Sequence, residues 1–294
     1  MAGALARREI VVPHAIVAAN SRFKNYTPET ERAVRRPDIQ ESKAVRQMRT
    51  ALEDWNTKLE NRNRTWFDNI TERYDSLCDI ASGLTYSPAD VTDFSFALAK
   101  YEQEDMFLDF SGVFLSALVE KGREDAGERY IVYTKDLPFP IWHLGYMNRK
   151  SIVIMGDVGW YLGIHMKGGD IVVQGNALHT VGYGMSGGRI TVEGNAVNSV
   201  GMCMRGGKII VMGNSGESVG KDMAAGKIIV KGDTGGCAGE RMENGEIVIY
   251  GNAGNSVGDG MIGGKIHLHG GYGCISEDYY GITHGIIYHK GKRI

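Results

Sequence analysis

His267 and His269 stand two residues apart on one face of an alternating segment, a spacing that grips a metal ion when a third ligand joins them. The sequence fixes no third ligand, so the simpler reading is a pair of solvated edge histidines. At intervals of 19 residues His165, Cys203, Asp222 and Arg241 fall in one register, with Gly184 between the first two. Cys203 beside Asp222 has the residue types of a polar site, but thiol catalysis needs a base held at a fixed distance, which spacing does not supply. Cys78, Cys203, Cys237 and Cys274 lie far apart with no C-x-x-C pair. They fit reduced thiols in a cytoplasmic protein better than a disulfide framework or a zinc site. The abundant glycines make no phosphate loop, because no Gly-Lys-Ser/Thr follows them and none opens a helix. Tyr272, Tyr279, Tyr280, His284 and His289 suit the packing of a terminal cap or contact with a partner. No catalytic, cofactor or metal residue is assigned from these patterns.

Charge narrows the classes further. Lys and Arg total 33 against 35 Asp and Glu, a net charge of −2. No global basic field argues for nucleic acid or an anionic membrane as partner. The segment from Ala4 to Ala19 faintly imitates an export signal, but its apolar run is short and Pro13 and His14 interrupt it. No export is expected, and no run approaches a membrane span.

What must position all these residues is one 19-residue phrase, repeated six times from about Ser151 to Gly270. Its first glycine recurs from Gly156 and Gly175 through Gly251 to Gly270. Seven residues later come Gly163, Gly182, Gly201, Gly220, Gly239 and Gly258, and three further on Met166, Met185, Met204, Met223, Met242 and Met261. A third glycine and an Ile-x-Val segment close the phrase. A fixed period of this size means one structural coil per repeat. The segments are too short for helix pairs, so the coils are strands of a β-helix.

Alternation turns Ile171 and Val173, Ile190 and Val192, and Ile209 and Val211 inward. The methionines, the Val181/Val200/Val219/Val257 column and the Ala177/Ala196/Ala253 column fill the interior. Glycines at three corners supply positive φ. Asp157, Asn176, Asn195, Asn214, Asp233 and Asn252 form a ladder that hydrogen-bonds along the stack, at a position where Asn and Asp tolerate left-handed corners. Lys208, Lys227, Lys265 and Arg189, interrupted by Asp170 and Glu246, read as a solvated edge.

The outward residue of each strand is Val153, Val172, Thr191, Ile210, Ile229, Val248 and then His267. A β-branched stripe on every rung is an apolar surface that soluble proteins cover. Either the protein's own helices lie over it or another subunit does.

The phrase Gly-x-x-x-x-x-x-Gly-x-x-Met-x-Gly-Gly-x-Ile-x-Val resembles the GXGXG repeat domain over roughly residues 130–290. That domain forms the C-terminal β-helix of the glutamate synthase large subunit and recurs in one of the subunits of formylmethanofuran dehydrogenase and in its relatives. The resemblance implies a scaffold that holds catalytic parts together, with the chemistry in other domains or subunits. No motif for glutamine amidohydrolysis, flavin, iron–sulfur or pterin binding is present here.

Ahead of the repeats, residues 1–127 read as an extended arm and a helical domain, and residues 128–294 as the β-helix with its caps. Ile10-Val11-Val12 can add as a strand elsewhere. Thr27-Pro28-Glu29 and Asp38 with Glu41 are helix starts. No glycine or proline interrupts the stretch from there to Ser82. Val45, Met48, Leu52, Trp55 and Leu59, then Trp66, Ile70, Tyr74, Leu77 and Ile80, form one apolar line. This predicts a helix of about 44 residues, about 66 Å long, whose apolar line serves either its own subunit or a coiled-coil-like contact between subunits. Ser87-Pro88-Ala89-Asp90 starts another helix to about Lys100, and a third spans about Glu104 to Lys121.

The expected fold is therefore α+β, a helical region followed by a right-handed parallel β-helix of 19-residue coils. The expected function is a non-catalytic scaffold or assembly subunit, forming a homo-oligomer or part of a larger complex. Val153, Val172, Ile210, Ile229, Val248, Trp55 and Trp66 are its candidate partner-binding residues. The alternative is an accessory subunit of a glutamate synthase-like or formylmethanofuran dehydrogenase-like complex. A polysaccharide-binding β-helix would show a flat outward row of aromatics, and the repeats offer only Trp160, Tyr161, Tyr183 and Tyr250.

Overall fold

The Ile-x-Val segments stack as parallel strands, one per coil, with first and third apolar residues turned inward and the residue between them outward. In the computed structural model, which describes residues 41–60, 70–100, 105–123, 129–135, 137, 140–276 and 285–294, these strands are β1 (Tyr130–Tyr133), β2 (Ile152–Met155), β3 (Asp170–Val173), β4 (Arg189–Val192), β5 (Arg205–Val211), β6 (Ala225–Val230), β7 (Glu246–Ile249), β8 (Lys265–Leu268) and β9 (Ile286–His289). They follow one another in chain order, and a short antiparallel β10 (Lys292–Arg293) closes the sheet. Register is kept from rung to rung: Ile171 aligns with Ile190, and Ile190 with Ile209. Isolated bridges from Val158 through Ala177 and Ala196 to Thr234 trace a second wall of the coil. The helical region followed by a parallel β-solenoid is the α+β architecture expected from the sequence.

The interior is the set of columns read from the repeat. Met166, Met185, Met204, Met223, Met242 and Met261 are all fully buried, as are Val181, Val200, Val219 and Val257. Taking one such side chain out of water contributes about 1.5–3 kcal/mol. Repetition makes the solenoid stable although no single coil has a core of its own.

Two details of the corners differ from expectation. Positive φ occurs at the second and third glycines, as at Gly182 (69°) and Gly188 (83°), but at the first column in Gly156 alone. There the requirement is space: a Cβ on Gly194 would lie 2.5 Å from Asn176 Oδ1 and 2.6 Å from the Gly175 carbonyl oxygen. The asparagine column is also not left-handed. Its work is hydrogen bonding: Asn176 Oδ1 accepts from the Asn195 N–H at 2.9 Å, Asn195 Oδ1 from Asn214 at 2.8 Å, and Asn214 Oδ1 from Asp233 at 2.8 Å. The left-handed non-glycine corners lie elsewhere, at Thr180, Ser199 and Ser218 and at His165, Cys203, Asp222 and Arg241.

Among the described residues, four helices close the first end of the stack. They are α1 (Lys43–Glu60), α2 (Ile70–Ser82), α3 (Pro88–Ala97), continued by one 3₁₀ turn over Leu98–Lys100, and α4 (Asp105–Lys121). Ser87 and Asp90 form the full capping box at the start of α3. The predicted single helix is two. Trp55 on α1 donates to the Ser76 hydroxyl on α2 at 3.1 Å, whereas 21 residues of straight helix would separate them by about 31 Å. The two apolar lines face a shared layer with α4, built from Met48, Leu52, Leu77, Phe114 and Leu118. Helix α3 lies against β1, the edge strand, and supplies the partners that edge lacks. The Thr92 hydroxyl donates to the Ile131 carbonyl at 2.9 Å, and the Ser95 hydroxyl accepts from the Tyr133 N–H at 2.9 Å. An open parallel edge invites unwanted pairing, and this one is blocked. The arm expected over Ile10–Val12, the helix starts at Thr27 and Asp38, and Trp66 lie outside the described residues.

Candidate interaction surface

The outward stripe exists as one continuous column. Ile131 is aligned with Val153, Val153 with Val172, Val172 with Thr191, Thr191 with Ile210, Ile210 with Ile229, Ile229 with Val248, Val248 with His267 and His267 with Tyr288. The residues from Val153 to Ile229 are partly exposed, and Val248 is 8% exposed. Each rung shields its neighbours about 4.8 Å away, so the stripe is narrower than the count of side chains implies. The helices meet this sheet at β1, its end, and not along the column. Of the two coverings that the sequence leaves open, the protein's own described helices do not supply one from β2 to β7.

Two polar columns flank the stripe. On one side stand Asp170, Arg189, Lys208, Lys227, Glu246 and Lys265, where Lys227 pairs with Glu246 at 2.8 Å. On the other, Gln174, Glu193, Met212, Lys231, Tyr250 and His269 are all exposed. There Lys231 lies 3.8 Å from the Tyr250 ring centroid, and His269 stacks on the other side of that ring at 4.7 Å. An apolar strip with charged margins has the composition of a small protein-binding face.

Trp55 does not belong to any such face. Its ring is 6% exposed, sits edge-on to Phe110 at 5.2 Å and directs its N–H to Ser76. The apolar line on α1 serves its own subunit, which corrects the partner-binding role expected for Trp55.

The candidate chemical positions are engaged in structure. Arg241 forks onto Asp222 through two bonds of 2.7 and 2.8 Å and also reaches Glu240 at 3.2 Å, so the carboxylate beside Cys203 is already held. His165 lies over Gly184, where an added Cβ would sit 2.6 Å from its Nδ1. His267 stacks on Tyr288 and approaches Glu246 at 3.6 Å, while His269 stacks on Tyr250. The two rings thus follow separate columns rather than converging on one point. Among the described residues no group of three His, Cys, Asp or Glu could hold a metal ion.

A cleft of about 340 Å³ opens between α2, α4 and the first coil. Asp75, Asp79 and Glu120 face it together with Lys121, Arg149 and Lys167, so its charges balance. Burial pushes both the Tyr74 phenol and the Cys78 thiol upward. Neither is poised as a base or nucleophile near neutrality.

A cluster of aromatic pairs is not visible in the repeat. Trp142 stacks on Trp160 at 5.1 Å, and His143 on Tyr161 at 5.0 Å. The signal is hidden because the first coil is shorter than the others. The His143 N–H donates to the carbonyl of Trp160, 17 residues on, where the Tyr161 N–H reaches His179, 18 residues on. The aromatic partners therefore fall out of the 19-residue register. The stack covers one face of each indole, and Trp160 remains 39% exposed. No described helix is long and apolar enough to cross a membrane. Neither any family model nor any curated protein matches this chain.

Proposed function

We propose that the protein is a non-catalytic scaffold or assembly subunit, whose outer sheet face from Val153 to Val248 is covered by a protein partner. The observation that carries this reading is the unbroken β-branched column, partly exposed over successive rungs and left uncovered by the described helices. The alternative use of such residues, as good strand formers on a solvated sheet, explains β-branching but not the absence of polar residues other than Thr191 from this column between Val153 and Val248. The engaged histidines and the Asp222–Arg241 pair support a structural rather than a chemical use of the corners. The resemblance to GXGXG domains fits the same role.

The test is association of the full chain carrying Ile210→Thr and Ile229→Thr together. Thr191 already occupies this column, so both variants keep strand propensity and the fold. Purified from the native host, the wild type should come as an oligomer or with a stoichiometric partner, and the double variant as a free monomer. A wild type that is monomeric and partner-free at micromolar concentration would end the scaffold reading.

A further inference from the structure

We infer that the partner on this face is a second copy of the same chain, packed antiparallel about a two-fold axis that runs along the strands between β5 and β6. This rests on the association proposed above and names its occupant. An axis in that place sets rung β5 against β6 of the second copy, β4 against β7 and β3 against β8. Ile210 then meets Ile229 of the second copy at the centre, and Thr191 meets Val248.

The flanking charges fit this arrangement. Asp170 comes opposite Lys265 of the second copy, and Arg189 opposite Glu246, and the symmetry repeats each pair. The one like-charged opposition is Lys208 with Lys227, and Lys227 is already paired with Glu246 in its own chain. Asp170, Arg189 and Lys265 are exposed, and none makes an ion pair within its own chain among the described residues. Moving the axis half a rung toward β5 sets Asp170 against Glu246. Moving it half a rung toward β6 sets Arg189 against Lys265. A parallel two-fold would instead bring Lys227 against Lys231, with Arg189 opposite Glu193 as its one kind of attraction where the antiparallel arrangement has two. The charges therefore select one register out of several, which is what rim charges do in an interface.

Area is sufficient. Eight rungs at about 4.8 Å and three outward columns at about 6.8 Å give roughly 780 Å² per copy, within the range of specific interfaces.

Charge exchange between two variants tests the inference. Asp170→Lys alone opposes two lysines, and Lys265→Asp alone opposes two aspartates, so each should weaken self-association by at least about tenfold. Mixed, the two variants restore both attractions, and sedimentation velocity should show a heterodimer at concentrations where each alone is monomeric. Both substitutions lie at exposed positions, and thermal melting checks that the fold persists. Single variants that dimerise like the wild type, or a mixture that stays monomeric, would overturn the inference. A monomeric wild type bound to a different stoichiometric protein would overturn the second-copy assignment and leave the scaffold reading intact. A wild type with neither would remove both.

Discussion

The indole N–H of Trp55 donates to the hydroxyl of Ser76 at 3.1 Å, joining two helices that the sequence presents as one uninterrupted apolar line. The same ring packs edge-on against Phe110. It is a core residue of the helical cap. Trp55→Ala should cost about 3–5 kcal/mol of stability, and Trp55→Phe less, since the ring contact survives. Urea unfolding measures both. A cost under about 1 kcal/mol for the alanine variant would show that α1 is not held to α2 in this way.

The solenoid's corner glycines carry a second prediction. Gly201 has φ of 68°, and an added Cβ would lie 2.3 Å from Ile228 Cδ1 on a later coil of the stack. Gly201→Ala should therefore destabilise by more than the roughly 1–2 kcal/mol of left-handed strain alone. Ile228→Val removes that methyl, so the double variant should recover part of the loss, with a coupling of about 0.5–3 kcal/mol. Additive costs would place the clash elsewhere.

What is legible in the sequence has local causes. The inward columns, the capping box at Ser87 and Asp90 and the whole coil period are written as residue types at fixed spacing, and they hold. The division between α1 and α2 is not legible, because apolar periodicity runs from Val45 to Ile80 with no glycine or proline before Ser82. The two segments instead meet on Phe110 of a distant helix, whose ring takes Trp55 of α1 edge-on and lies under the Arg73 guanidinium of α2. The first glycine column misleads for a related reason: its constraint is the approach of the next coil, which has no signature in φ preference. The Trp142–Trp160 stack falls out of register with the repeat. Of the interaction surface, the stripe itself is plain in the sequence, whereas the helices' position at β1 becomes clear only with Thr92 and Ser95 seen on that edge.

The asparagine ladder is tested at one rung. Asn195→Ala strands the Asn214 N–H, whose bond Asn195 Oδ1 now accepts at 2.8 Å, at a cost of about 1 kcal/mol. Asn195→Asp keeps an acceptor there, as Asp157 and Asp233 do in the same column, with the neutral Asn176 and Asn214 on either side, and should be tolerated. Equal losses for both variants would mean that the amide's N–H₂ group, not its oxygen, holds the rung.

Stability should also fall in acid through His143. Burial pushes its imidazole down to about 4, against about 6.5 in an unfolded chain. The unfolded state therefore binds the proton first. The contribution of the buried neutral ring is complete above pH about 6.5 and is lost progressively as pH falls to about 4, by about 3 kcal/mol in all. His179, also lowered by burial, acts in the same direction. His143→Asn cannot titrate, and Asn accepts the positive φ of 60° found there. Urea unfolding across this range should show a shallower acid slope for the variant, and parallel slopes would contradict the assignment.

Side-chain footprinting reads directly whether the β-branched face is buried against protein. Hydroxyl radicals should label Ile262, which is 53% exposed and lies outside the face, at one rate whatever the protein concentration. Ile210 and Ile229 should be protected at micromolar concentration and become labelled on dilution or in the Asp170→Lys variant. Labelling of both isoleucines that stays constant relative to Ile262 across dilution and in that variant would show that no second copy of the chain covers this face.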